Sequence, residues 1–73
     1  MNYSAFYKTN SITSNKIYSN DKEDVRNKIV MIVSQRFNRI MVEIHIIDNY
    51  TKEEEKFNFY CIDNCINRYK KII

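Results

Sequence analysis

His45 and Glu43 are the residues of this sequence whose types and spacing first suggest chemistry. His45 is the only histidine of the 73 residues, and Glu43 precedes it by two positions. Side chains two positions apart on a strand point to the same face, so the carboxylate could orient the imidazole. A catalytic site would also need a nucleophile and an oxyanion-binding group, and this chain has no glycine for the tight turns that commonly present them. We therefore expect an ion pair and no enzymatic activity.

The two cysteines, Cys61 and Cys65, raise the question of a metal site or a disulfide. Structural zinc takes four ligands, and His45 is the only further candidate beside the two thiols. A disulfide across so short a loop would remove little entropy from the unfolded chain. We expect no metal, no cofactor and two reduced thiols, as is usual in the cytoplasm.

Three consecutive glutamates, Glu53, Glu54 and Glu55, form the most acidic stretch of the chain. Their spacing is not that of a calcium-binding loop, and acidic loop residues are usually solvated. Carboxylates at the tip of a hairpin can, however, dock into an arginine-lined groove of another protein. We therefore predict that these three residues contact a partner.

The first element that positions these residues is a helix predicted over 21–37. Asn20 can act as its N-cap, with Glu23 three residues later in a capping-box arrangement. Asn38 can adopt the left-handed conformation that often follows the last turn. Apolar side chains recur at helical spacing in this segment: Val25, Ile29, Ile32, Val33 and Phe37.

Two strands are predicted over 39–48 and 56–62, because apolar and other residues alternate along both segments. The intervening segment 49–55 is polar and acidic, so the strands should pair as an antiparallel hairpin. A second helix is predicted over 63–73. The segment 3–8 can form a further strand, and 11–18 is either a loop or a weak second strand.

These elements predict an α+β fold, a small two-layer sandwich within a single domain, 1–73. An antiparallel sheet, made of the hairpin and the amino-terminal strand, would carry both helices on one face. The alternation turns one set of side chains toward the helices: Ile40, Val42, Ile44, Ile46, Phe57, Phe59 and Cys61. It leaves another set on the uncovered face: Met41, Glu43, His45, Ile47, Asn58, Tyr60 and Ile62. An uncovered face that keeps apolar residues is usually covered by something else.

The net charge of +3 permits weak attraction to nucleic acid but falls short of a strongly basic domain. If the ends of both helices meet, their cations could form a phosphate-binding surface, although such residues are more often a solvated face. The candidates are Arg26, Lys28, Arg36, Arg39, Arg68, Lys70 and Lys71. No apolar run approaches the length of a membrane span, so no membrane partner is expected.

Small size and the lack of catalytic chemistry predict a non-enzymatic interaction protein of the host cytosol. The chain has no glycine or proline and is rich in isoleucine and asparagine, which indicates an A/T-rich genome and suggests a phage, virus or other mobile element. Its partner would be a larger host protein or nucleoprotein complex, such as a defence nuclease, that it inhibits. The expected contact residues are Glu43, His45, Tyr60, Glu53, Glu54 and Glu55. A small nucleic-acid-binding module and a structural homodimer remain as alternatives.

Overall fold

A computed structural model of the chain describes residues 1–61, which form a four-stranded antiparallel sheet and one helix. The elements in chain order are β1 Tyr3–Lys8, β2 Ile17–Ser19, α1 Lys22–Arg36, β3 Ile40–Asp48 and β4 Glu54–Cys61. The α+β class, the first helix and the amino-terminal strand are therefore confirmed. The expectation of two helices is not supported: the described residues contain one, and the second helix predicted over 63–73 lies outside them.

The strands follow the order β2, β1, β3, β4 across the sheet. Because β2 and β3 are both antiparallel to β1, they run parallel to each other on either side of it. The connection between them contains α1, which passes over one face of the sheet as in a split β-α-β unit. The predicted hairpin of β3 and β4 is confirmed, with Ile44 opposite Phe57.

The core lies between α1 and the sheet face that the alternation predicted. Ile44 has no exposed surface, and Phe57 and Phe59 pack against the edge of the cluster. Nine buried apolar residues form the core: Ala5, Tyr7, Val25, Ile29, Val33, Val42, Ile44, Ile46 and Cys61. Among residues 1–61, no helix is long and apolar enough to cross a membrane.

Both ends of α1 differ from the predicted caps. Asp21, not Asn20, is the N-cap residue, and its side chain makes no capping hydrogen bond. Instead, the hydroxyl of Ser19 accepts a hydrogen bond from the N–H of Asp21 at 3.2 Å and donates one to Asp24 at 2.7 Å. Beyond the helix, Arg39 and not Asn38 has a positive φ, of 62°. The capping-box prediction is therefore wrong. Ser19, and not Glu23, accepts the hydrogen bond from the N–H of the N-cap residue.

The acidic segment is also shorter than predicted, since β4 begins at Glu54 and the turn comprises only 49–53. The carboxylate of Asp48 accepts hydrogen bonds from the N–H groups of Tyr50 at 2.9 Å and Thr51 at 3.2 Å. Lys52 takes a positive φ of 68° in the absence of any glycine. These contacts close the turn early, so two of the three glutamates become part of the strand.

Candidate partner-binding face

The sheet face that is turned away from α1, here called the open face, carries the predicted acid–base pair. Strand alternation and the observed register place His45 of β3 between Phe6 of β1 and Lys56 of β4. The open face consists of Ser4, Phe6, Lys8, Tyr18, Met41, Glu43, His45, Ile47, Glu54, Lys56, Asn58 and Tyr60. Within residues 1–61, no element covers it.

His45 is nevertheless only 8% exposed. The ring of Phe6 stacks on the imidazole, with 4.4 Å between ring centroids and an interplanar angle of 7°. The two residues lie directly opposite each other on the paired strands β1 and β3, and β3 is itself paired with β4 on its other side. The centre of the open face is therefore a fixed pair of stacked rings.

Two carboxylates hold the imidazole in place from opposite sides. The Oε2 atom of Glu43 lies 2.5 Å from Nε2 of His45, and Glu54 contacts Nδ1 through its own Oε2 atom. Each ring nitrogen therefore has a carboxylate oxygen as its neighbour. This arrangement fixes the orientation of the imidazole ring.

The same geometry argues against a metal site at His45. The two carboxylates lie at opposite nitrogens and do not converge on one point. Among the described residues, no group of three potential ligands is arranged to hold a metal ion. Cys65 lies outside residues 1–61. Cys61 is buried, with its Sγ atom 3.7 Å from the carbonyl oxygen of Val33, and burial raises the pKa of its thiol.

One end of the open face exposes apolar surface. Met41 and Tyr60 are opposite each other on β3 and β4, and they are 56% and 49% exposed. Met41 also lines a depression of about 690 Å³ between the segment 8–12 and the start of β3. Exposed methionine and tyrosine beside a depression are typical of the centre of a protein–protein contact.

No protein-family model, curated protein or solved structure significantly matches the chain. Function is therefore inferred from the chemistry and the position of the residues themselves.

The structure separates the three glutamates that were expected to form one acidic tip. Glu53 lies in the turn, where its Oε1 atom accepts a hydrogen bond from Thr51 at 3.4 Å. Glu54 points to the open face and contacts His45. Glu55 points to the helix side, where its carboxylate lies 3.0 Å from Nζ of Lys22 and 2.7 Å from Arg26. The prediction that the three glutamates lie together at the tip of the hairpin is therefore wrong. Glu54 and Glu55 belong to β4, and neighbouring residues of a strand point to opposite faces.

Of the predicted cations, two are already paired with carboxylates. Arg26 contacts Glu55 and lies over the ring of Phe57, 5.5 Å from its centroid. Lys28 lies 3.0 Å from Asp24, whose pKa is lowered by the hydrogen bond from Ser19 and by Lys28. The remaining candidates are Arg36 and Arg39, which are exposed, and Arg68, Lys70 and Lys71, which lie outside the described residues.

Two features of the open face were missed by the sequence reasoning, namely the stacking of Phe6 and the contact from Glu54. The alternation of Tyr3, Ala5 and Tyr7 with Ser4, Phe6 and Lys8 could have placed Phe6 on this face. The pairing of Phe6 with His45 depends on the register between β1 and β3, whose paired residues are at least 35 positions apart in the sequence. Such a register leaves no local signal in the sequence.

The ion pairs of Glu55 predict a stability difference at acidic pH. The hydrogen bonds from Lys22 and then Arg26 lower the pKa of Glu55. A lowered carboxyl pKa stabilises the fold above the unfolded-state value, and this stabilisation disappears as the pH falls through the folded-state value. Exposed pairs contribute little, so we expect the loss to be below about 1 kcal/mol.

Urea denaturation of the wild type and Glu55→Gln at neutral pH and below about pH 4 tests this expectation. The wild type should be the more stable protein at neutral pH, and the difference should shrink in acid. The control is Glu53→Gln, whose carboxylate contacts neither Lys22 nor Arg26 in the structure. An equal difference at both pH values would contradict the assigned ion pairs.

Proposed function

We propose that this chain is a non-enzymatic interaction protein that binds a larger host protein or nucleoprotein complex through the open face and inhibits it. The observation that carries the proposal is the stacked Phe6 and His45, fixed by Glu43 and Glu54 on a face that no described residue covers. A fixed surface loses little conformational entropy when it binds, which favours affinity.

The charges of the open face favour a protein partner over a nucleic acid. Lys8 and Lys56 supply two positive charges, and Glu43 and Glu54 supply two negative charges. A phosphate backbone attracts an excess of cations, whereas protein surfaces present both signs. Met41, Tyr60 and Phe6 add the aromatic and flexible apolar surface that protein contacts favour.

Inhibition is proposed because a small domain without a free catalytic group acts most simply by obstruction. A defence nuclease is one class of target that a phage or virus would need to block, and the amino-acid composition, which is typical of an A/T-rich genome, suggests such an origin. The proposals of inhibition and of a phage or virus origin are based on the size and composition of the chain. The proposed contact surface is based on the geometry of the open face.

The alternative is a small nucleic-acid-binding module that uses the exposed Arg36 and Arg39 together with the cations beyond Cys61. The pairing of Arg26 with Glu55 and of Lys28 with Asp24 reduces the charge available for phosphates. Such a module would bind with an affinity that falls steeply as salt concentration rises.

Tyr60→Ala should weaken the affinity for the partner by at least about tenfold, because truncation of an aromatic residue that anchors a contact commonly costs more than 1 kcal/mol. The matched control is Tyr50→Ala, since Tyr50 is 80% exposed and lies in the turn, away from the centre of the open face. Circular dichroism should show that both variants keep the wild-type fold.

The measurement is affinity capture from a low-GC bacterial lysate with the wild type and both variants, each with and without nuclease treatment, followed by titration of the captured protein. One protein retained by the wild type and Tyr50→Ala, but lost with Tyr60→Ala, would support the open face. Equal retention by all three would exclude Tyr60 from the contact. Loss of every captured component after nuclease treatment would favour the nucleic-acid-binding module.

A further inference from the structure

The two edges of the sheet differ in length and chemistry. The edge strand β2 has three residues, which is too short to template a long pairing. The opposite edge strand, β4, has eight residues, and its second half, 57–61, carries no charge. Proteins usually protect an edge of this length with charges, a bulge or a covering element. Among the described residues, none pairs with the outer side of β4.

The hydrogen bonds of the sheet show which main-chain groups of β4 point to this edge. Asp48 donates to the carbonyl oxygen of Glu53 at 2.9 Å, and hydrogen-bonded pairs recur at every second residue of an antiparallel ladder. Residues 55, 57 and 59 therefore direct their main-chain groups toward β3. Residues 54, 56, 58 and 60 direct theirs outward, where they can pair with another strand.

We propose that β4 pairs with β4 of a second copy of this chain, in an antiparallel arrangement about a two-fold axis. Opposite residues of an antiparallel pair have their side chains on the same face of the sheet. The two-fold axis must therefore pass between the two copies of one β4 residue, which is here called the residue at the axis. An axis at Glu55 or Lys56 would place identical charges opposite each other. An axis at Phe57, Asn58 or Phe59 avoids every such clash. The first two registers pair seven residues of each copy, whereas an axis at Phe59 pairs only five, so the two longer registers are the permitted ones.

The two permitted registers also bring favourable neighbours together. With the axis at Phe57, the two copies of this ring are opposite each other, and Lys56 is opposite Asn58 of the second copy. With the axis at Asn58, Phe57 is opposite Phe59 of the second copy, and Lys56 is opposite its Tyr60. Aromatic pairs of this kind stabilise sheets. Pairing also adds buried surface to a domain that is small for independent stability.

This arrangement differs from a homodimer in which two open faces stack on each other, because it leaves both open faces uncovered. The two sheets join into one sheet of eight strands, with both α1 helices on the same side. The proposed partner surface is then presented twice, and its two copies are contiguous. The inference does not depend on the proposed function, since the pairing uses main-chain groups that the open face does not require.

Asn58→Lys tests the pairing in both permitted registers. The introduced lysine faces Lys56 of the second copy when the axis is at Phe57, and it faces the same introduced lysine when the axis is at Asn58. We expect the dissociation constant of the dimer to rise about tenfold, because like charges directly opposite each other are destabilising. The side chain of Asn58 is exposed, so the monomer should keep its fold. The control is Asn27→Lys, which adds the same charge at an exposed position of α1.

A second variant, Asn58→Pro, removes an outward N–H group without removing a hydrogen bond to β3, which proline tolerates at a sheet edge. Sedimentation velocity over a concentration series measures the dissociation constant, and circular dichroism checks the fold. A wild-type dimer that is weakened by both substitutions at Asn58, but not by Asn27→Lys, supports the pairing. A wild type that stays monomeric up to about 100 μM, or a dimer that neither substitution weakens, overturns it.

Discussion

Ile44→Ala lowers the free energy of unfolding by about 2–5 kcal/mol. Ile44 has no exposed surface and lies on a central strand, opposite Tyr7 on one side and Phe57 on the other. Its truncation removes buried methyl groups and leaves a cavity that neighbours anchored in three strands cannot readily fill. A domain of this length has a total stability of roughly 4–11 kcal/mol, so the loss is a large fraction of it.

Met41→Ala is the matched control, because Met41 lies on the same strand but is 56% exposed on the open face. It should change the free energy of unfolding by less than about 0.5 kcal/mol. Urea denaturation followed by circular dichroism gives both values. Similar losses for the two variants would contradict the assignment of Ile44 to the buried face and Met41 to the exposed face of β3.

His45→Ala should lower the free energy of unfolding by about 1–3 kcal/mol, although His45 lies outside the core. The substitution removes the ring that stacks on Phe6 and leaves Glu43 and Glu54 without their common partner. The two carboxylates then face each other across the vacated position. Both effects destabilise the folded state at neutral pH.

A double-mutant cycle separates the stacking from the carboxylate contacts. In a Glu43→Ala, Glu54→Ala background, which removes both partners of the imidazole, His45→Ala should cost only the stacking contribution, about 0.5–1.5 kcal/mol. Asn58→Ala, an exposed change on the same face, is the control and should be nearly neutral. Equal costs of His45→Ala in the two backgrounds would show that the carboxylates do not hold the ring.

The sequence predicted the elements whose signals are local and repeated. Apolar side chains at helical spacing located α1, and the alternation along β3 predicted which of its side chains are buried. Both patterns are imposed by the period of the element itself, so they can be read without knowledge of neighbours. The open face was predicted for the same reason, including Glu43, His45 and Tyr60.

The parts that could not be predicted depend on contacts between distant segments. Glu55 belongs to β4 and not to a loop, and cations of α1 lie beside its carboxylate. Asp21 replaces Asn20 as the N-cap residue, and Ser19 binds the N–H of Asp21 and the carboxylate of Asp24 because β2 ends beside the first turn of the helix. A polar run such as 53–55 looks like a loop until its partners are known. The same is true of the carboxylates on either side of His45.

Asn49 joins the turn of the hairpin to the first residues of the chain. Its N–H donates to the carbonyl oxygen of Asn2 at 2.8 Å, and its side-chain amide donates to that of Met1 at 3.0 Å. Its side-chain oxygen accepts a hydrogen bond from Ser4 at 3.1 Å. A fluorophore or affinity handle attached at Met1 would therefore sit against the hairpin and not on a loose end. An attachment at Asn27, on the outer surface of α1, leaves this junction and the open face undisturbed.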